Sequence, residues 1–240
     1  MKGISDIDET RRRVLLYLLT TGAFAALPGC ASRGLSGRQA MAMPQEMPPG
    51  VSMFLLDGDV TVSGKSATLD SSVEAGDLIE TGPNAEVIFV FGKDAFLLRA
   101  NSRLRIPSSM SSGGTYGLER GKALSALASR HTQISTPSAV ISIRGTGVYV
   151  EVEPTLSYVC LCYGAANLAT ADGQADEDLE SEHHDAPKYI LDDSTARNRI
   201  QDAPFKNHDD QELLMIETLV GRSTPYVVPQ GLPRTRSRYL

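Results

Sequence analysis

The sequence predicts an all-β fold, a roll or sandwich of short strands with one C-terminal helix. Three observations predict it. Between Val51 and Val152, turn signals recur roughly every eight to twelve residues and separate short alternating runs, the pattern of β-sandwiches and barrels. Helical periodicity is missing from that stretch. The segment Thr136–Val152, TPSAVISIRGTGVYVEV, reads as strand, turn and strand, with one arginine and two glycines at its bend.

The first 29 residues read as an address rather than as part of the fold. Thr10-Arg11-Arg12-Arg13-Val14-Leu15 fits a twin-arginine export pattern. The apolar run Val14–Leu27 is shorter than the ~20 residues a bilayer span requires. Leu27-Pro28-Gly29-Cys30 resembles a lipobox, with Cys30 as the lipidated residue after cleavage; an ordinary signal peptide with a chance cysteine is the alternative. Ala31 and Ser32, rather than an aspartate, point to the outer membrane. The expected location is therefore the periplasm, lipid-anchored. Residues 30–50 are rich in Gly, Ser, Met and Pro and read as a flexible tether.

From Val51 the strands follow in order. Gly58–Val62 is a first strand, with Gly64-Lys65 as its turn. Leu78–Thr81, Ala85–Phe91, Ala95–Ala100 and Leu104–Ile106 are next, divided by Pro83-Asn84 and Gly92-Lys93-Asp94. Tyr116–Gly121 has strand character, and Ala123–Ala128 is ambiguous. After the hairpin, residues 153–221 form a C-terminal extension with a strand at Tyr158–Gly164 and another at Pro187–Leu191. Glu212–Leu219 is the helix: Leu213, Leu214, Ile216 and Leu219 fall at helical spacing, and Gly221 stands as its stop. Residues 172–185 hold seven acids and read as a solvated loop, and residues 222–240 as a loosely ordered tail.

Several elements resemble the periplasmic domain of the FecR family. They are Gly58-Asp59-Val60, Gly76-Asp77-Leu78-Ile79-Glu80-Thr81-Gly82, Ala95–Ser102 and, most specifically, Thr136-Pro137, Ala139 and Ile143-Arg144-Gly145-Thr146 with Val148. The resemblance covers residues 51–152 and implies a β platform for binding or signalling, with no catalytic residues. Sigma-factor regulators of that family carry a cytoplasmic domain and a membrane helix ahead of this part. Here a signal peptide stands in that place, so the resemblance does not imply a sigma-regulator role. Arg144, Gly145 and Thr146 are its structural signature. A cation among apolar β positions needs water or a carboxylate partner. The expected one for Arg144 is Asp77 or Glu80, in a buried pair that pins the hairpin.

Cys160 and Cys162 share a face of their strand. Residues two apart in a strand are separated by ~6.6 Å, beyond disulfide reach without a bend. Unpaired thiols are uncommon in an oxidising compartment. His184 and His208 could complete a Cys160, Cys162, His184, His208 site for a transition metal such as zinc, whose tetrahedral sites take this donor set. The alternatives are buried thiols acting as small hydrophobes, a strained redox-active disulfide, and a helix-capping role for His208 and Asp209.

Other chemistry is excluded. The net charge of −6 argues against nucleic acid as a partner. Gly58–Ser66 has one residue too many for a phosphate-binding loop and no helix after it. No Gly-x-Ser-x-Gly, HExxH or nucleophile–base arrangement is visible. The expected function is thus a non-enzymatic envelope module that binds a protein or glycan. The alternative is an envelope metal or redox protein using Cys160, Cys162 and the downstream histidines.

Overall fold

A computed structural model describes residues 44–110, 113–128 and 131–228. The expected signal peptide, Cys30, the expected tether up to residue 43 and the tail beyond residue 228 lie outside the described residues. The compact folded unit begins at Gln45.

The described chain is all-β with one short helix. Its strands are β1 (Met53–Asp57), β2 (Val60–Val62), β3 (Lys65–Ser66), β4 (Leu78–Thr81), β5 (Glu86–Phe91), β6 (Asp94–Leu98), β7 (Arg103–Arg105) and β8 (Thr115–Leu127). They continue with β9 (Gln133–Ser135), β10 (Ala139–Ile143), β11 (Thr146–Glu153), β12 (Leu156–Thr170), β13 (Asp176–Ser181), β14 (Lys188–Leu191) and β15 (Ile200–Asp202). The helix is α1 (Asp210–Leu219).

Two layers arise because two long strands bend. The first layer runs β1-β5-β6-β8-β11-β12-β14-β15, and the second β3-β2-β4-β7-β8-β9-β10-β12-β13. Neighbours are antiparallel except β8 and β9. Strand β8 pairs with β11 as far as Gly121 and with β7 from Arg120. Strand β12 pairs with β11 up to Tyr163 and with β13 from Gly164. Gly121 and Gly164 sit at these corners with φ of +87° and +94°, a region side chains disfavour. A Cβ on Gly121 would lie 2.4 Å from Ser102 Cα, and one on Gly164 2.7 Å from the Gly145 oxygen.

Alternation then divides the first layer's side chains. Val87, Phe89, Phe96, Leu98, Val148, Val150, Val159 and Leu161 face the sandwich core with Ile79, Leu104, Leu118 and Ile141. The opposite register, with Tyr149, Tyr158, Cys160 and Cys162, is equally buried, and α1 packs on that side against β6 and β8. A layer covered on both faces cannot alternate polar with apolar. This explains why β12 reads LSYVCLC, without a polar face.

Helix α1 starts at a reciprocal cap. The Asp209 side chain accepts the Glu212 N–H, and the Glu212 carboxylate accepts the Asp209 N–H. Such a cap contributes about 1 kcal/mol. Gly221, at φ +70°, stands just past the end of the helix. Arg99 ties the helix to the sheet, bridging Glu86 at 2.7 Å and Glu212 at 2.8 Å. Deeper in, the Glu217 carboxylate accepts from the Tyr163 hydroxyl and from Arg222 Nε.

Two expectations need correction, and one open reading is resolved. Arg144 is not in a buried pair with Asp77 or Glu80. Its side chain is 61% exposed and, among the described residues, pairs with Asp178 at 3.7 Å. Asp77 instead accepts from Ser63 and the Glu74 N–H, and Glu80 pairs with Arg103 and Arg120. The hairpin is held to β12: the Arg144 N–H donates to the Ala165 oxygen, and the buried Thr146 hydroxyl to the Tyr163 oxygen. Second, residues 172–185 are not only a loop, because β13 occupies Asp176–Ser181. Its acids face water at alternate positions while Leu179 enters the core. Third, Ala123–Ala128 belongs to β8 through Leu127, its small side chains fitting a layer packed on both faces.

Candidate metal centre

Strand β12 carries Cys160 and Cys162, both fully buried and both free thiols. Their shared face follows from strand alternation. The turn between β13 and β14 adds His183 and His184. Asp185 builds that turn: its carboxylate accepts the N–H groups of Glu182 and His183, and its own N–H donates to Ser181 Oγ. The His184 N–H then bonds to the Cys162 oxygen at 3.0 Å, seating the turn on β12. His184 adopts a left-handed φ of +56°, which a bulky residue holds only where its surroundings enforce it. His208 comes from the segment leading into α1, and Asp210 from the first turn of α1.

The structure brings Cys160, Cys162, His184 and His208 together, with their ligand atoms all within 4.8 Å of one another. Cys160 Sγ lies 3.5 Å from His184 Nδ1, and His184 Nδ1 lies 3.1 Å from His208 Nε2. A tetrahedral zinc with bonds of ~2.3 Å to sulfur and ~2.05 Å to nitrogen has S–N edges of ~3.6 Å and N–N edges of ~3.3 Å. The observed separations are close to those edges.

Hydrogen bonds fix which ring nitrogens face inward. His208 Nδ1 is 2.8 Å from the Lys206 oxygen, which can only accept, so Nδ1 carries the proton. His184 Nε2 is 3.0 Å from the Asp210 carboxylate and carries its proton for the same reason. In the neutral rings, His184 Nδ1 and His208 Nε2 therefore present bare lone pairs to each other. A third electron-rich atom, Cys160 Sγ, sits beside them. Such a trio needs a cation at its centre, either a proton or a metal. A carbonyl and a carboxylate behind the two imidazoles are the outer partners that orient metal-bound histidines.

The surroundings reinforce the arrangement. Tyr149 stacks on the His208 ring at 4.4 Å, and Phe205 packs on both imidazoles. Lys206, whose carbonyl orients His208, is held over the Tyr158 ring and paired with Glu151 and Glu153. The Cys162 thiol beside Cys160, helped by both imidazoles, outweighs burial and holds the Cys160 thiol down at about 3. Burial and the neighbouring thiolate push Cys162 well up. Burial would lower His184, but the Cys160 thiolate and Asp210 outweigh it, and the imidazole is raised.

The sequence showed no nucleophile–base arrangement, whereas the structure lines up Cys160, His184 and Asp210 as thiol, imidazole and carboxylate. They are too far apart in the chain for spacing to reveal this. In that line Cys160 is 0% exposed, whereas reactive cysteines sit in partly exposed surroundings. Two cysteine sulfurs and two imidazoles in a closed pocket suit zinc better than a hard cation. His183, Asp210, Tyr149 and Lys206 were not among the candidate site residues of the sequence. The one available signal was Asp210 following the Asn207-His208-Asp209 cap. Of the signature residues, Gly145 and Thr146 hold the hairpin and Arg144 points to solvent.

No protein-family profile matches the chain. No curated protein matches it either. Among solved structures, two crystal structures of a provisionally assigned anti-sigma factor from Parabacteroides distasonis ATCC 8503 are similar to it at 15% identity, with TM-scores of 0.45 and 0.44. The alignments cover 57% of this chain and 62% of that one, so the chain spans less than two thirds of the length of the protein it resembles.

Proposed function

We propose that this chain is a non-enzymatic, FecR-like β module of the cell envelope whose C-terminal extension is closed by a structural zinc ion. Cys160, Cys162, His184 and His208 hold the metal. The Thr136–Val148 block supports the FecR-like reading, and the twin-arginine and lipobox motifs support a lipid-anchored envelope address. One observation carries the metal. Two imidazole lone pairs and a thiolate converge inside 4.8 Å in a buried pocket, where no solvent neutralises them. Coordination would also keep two thiols reduced in an oxidising compartment. The ion fastens β12 to the turn at residue 184 and to the start of α1, so that the helix stays on the sheet.

Elemental analysis of the reduced, purified protein tests this. The expected result is about one zinc per chain, lost in Cys160→Ser and in His208→Ala. Less than about a tenth of an equivalent of any transition metal, unchanged by Cys160→Ser, overturns it.

A further inference from the structure

His184 has a second face. Its Nε2 lies 3.0 Å from Asp210 Oδ1, and the same oxygen lies 2.9 Å from His183 Nε2. The three ligand atoms fall within 4.8 Å of one another. Two adjacent histidines in a regular strand would point to opposite faces. Here the left-handed backbone of His184 and the turn built by Asp185 bring both rings to one carboxylate. The Tyr226 ring packs 4.0 Å from that of His183, and its hydroxyl lies 3.4 Å from His184 Nε2. Unlike the buried centre, this one meets solvent: the His183 side chain is 49% exposed and that of Asp210 29%.

From this geometry we infer that His183, His184 and Asp210 form a second, open site for a divalent transition cation, joined to the buried zinc site through the His184 imidazole. The donor set is two imidazoles and one carboxylate. Metal–ligand bonds of ~2.1 Å at right angles give edges of ~3.0 Å, the pattern of a facial triad with its remaining positions open. The observed edges are 2.9 and 3.0 Å. On binding, the cation would take a bond from Nε2 of each histidine: the His184 Nε2 proton leaves to solvent, and the His183 Nε2 proton moves by way of solvent to that ring's own Nδ1. The His184 ring then bridges two metals, Nδ1 inward and Nε2 outward. The donors suit zinc, copper(II), cobalt(II) or iron(II) rather than calcium or magnesium, which prefer all-oxygen shells. The open face would take water or a small anionic ligand.

This inference rests on the buried site, because His184 serves both, and the experiment separates them. Cobalt(II) is titrated into metal-stripped, reduced protein. Binding is followed by calorimetry, and the thiolate-to-cobalt charge-transfer absorption marks the buried site alone. The expected result is two equivalents. The first carries the thiolate band and the second adds none. His183→Ala, at an exposed position and with its fold checked by circular dichroism, should keep the first and weaken the second at least tenfold. Cys160→Ser should remove the thiolate band at the first equivalent. One equivalent with the thiolate band and nothing further overturns the open site and leaves the buried one standing. Two equivalents unaffected by His183→Ala overturn it as well. Binding without any thiolate band, abolished by His183→Ala, supports the open site's donors while refuting the buried centre and the bridge.

Discussion

Stripping the metal should loosen the C-terminal extension by an amount that the geometry bounds. Zinc at Cys160, His184 and His208 closes two loops, each between residues 24 positions apart. In the chain-entropy treatment of a cross-link, a loop of that length stabilises by about 3.4 kcal/mol at 25 °C, so two together set a ceiling of about 7 kcal/mol. Ligand ordering and desolvation offset part of it, and half the ceiling leaves about 3 kcal/mol. For a chain of this size, 1 kcal/mol moves Tm by roughly 2–4 °C, so chelation should lower Tm by about 6–12 °C. The assay is calorimetric unfolding in reducing buffer, with chelator or with stoichiometric zinc. Cys160→Ser and His208→Ala should unfold at the same temperature in both buffers. A wild-type Tm that agrees within about 1 °C between the buffers would refute the clasp.

Gly164→Ala should cost about 3 kcal/mol or more in urea unfolding, since φ is +94° and the new Cβ would meet the Gly145 oxygen at 2.7 Å; a cost under about 1 kcal/mol contradicts the corner role. Glu151 gives a pH signature. Burial would raise its pKa, but hydrogen bonds from Tyr149 and Asn207, with Lys122 and Lys206 nearby, leave it lowered. A depressed carboxylate contributes stability that is present above its unfolded pKa of ~4.3 and lost as pH falls through the folded value. Stability should therefore fall on acidification through that range, and Glu151→Gln should flatten the limb; an unchanged slope counts against it. Arg144→Ala should change stability by less than about 0.5 kcal/mol, because its ion pair with Asp178 is exposed on both sides; a loss of several kcal/mol would restore the buried-pair expectation.

The sequence by itself determined the fold class and most of the strand order. Period-2 runs between Gly, Pro and Asn turns admit few other readings, and the cap and stop of α1 are local chemistry. It also supplied the four buried ligand candidates, because scarce Cys and His residues stand out and a strand puts Cys160 and Cys162 on one face. Tertiary structure decided the rest. Whether Arg144 is buried depends on what packs over the hairpin; its side chain is 61% exposed and its partner is Asp178 of β13, from a stretch whose acids masked a strand. His183 and Asp210 gained meaning only when a left-handed His184 and the start of a helix met at one carboxylate. The bends at Gly121 and Gly164, which divide one sheet into two layers, are single glycines among many in the sequence. What they do is set by the backbone angle they adopt and by the Ser102 and Gly145 atoms pressed against them. Local patterning specifies elements and faces, while the partner each face meets is fixed by contacts between residues far apart in the chain.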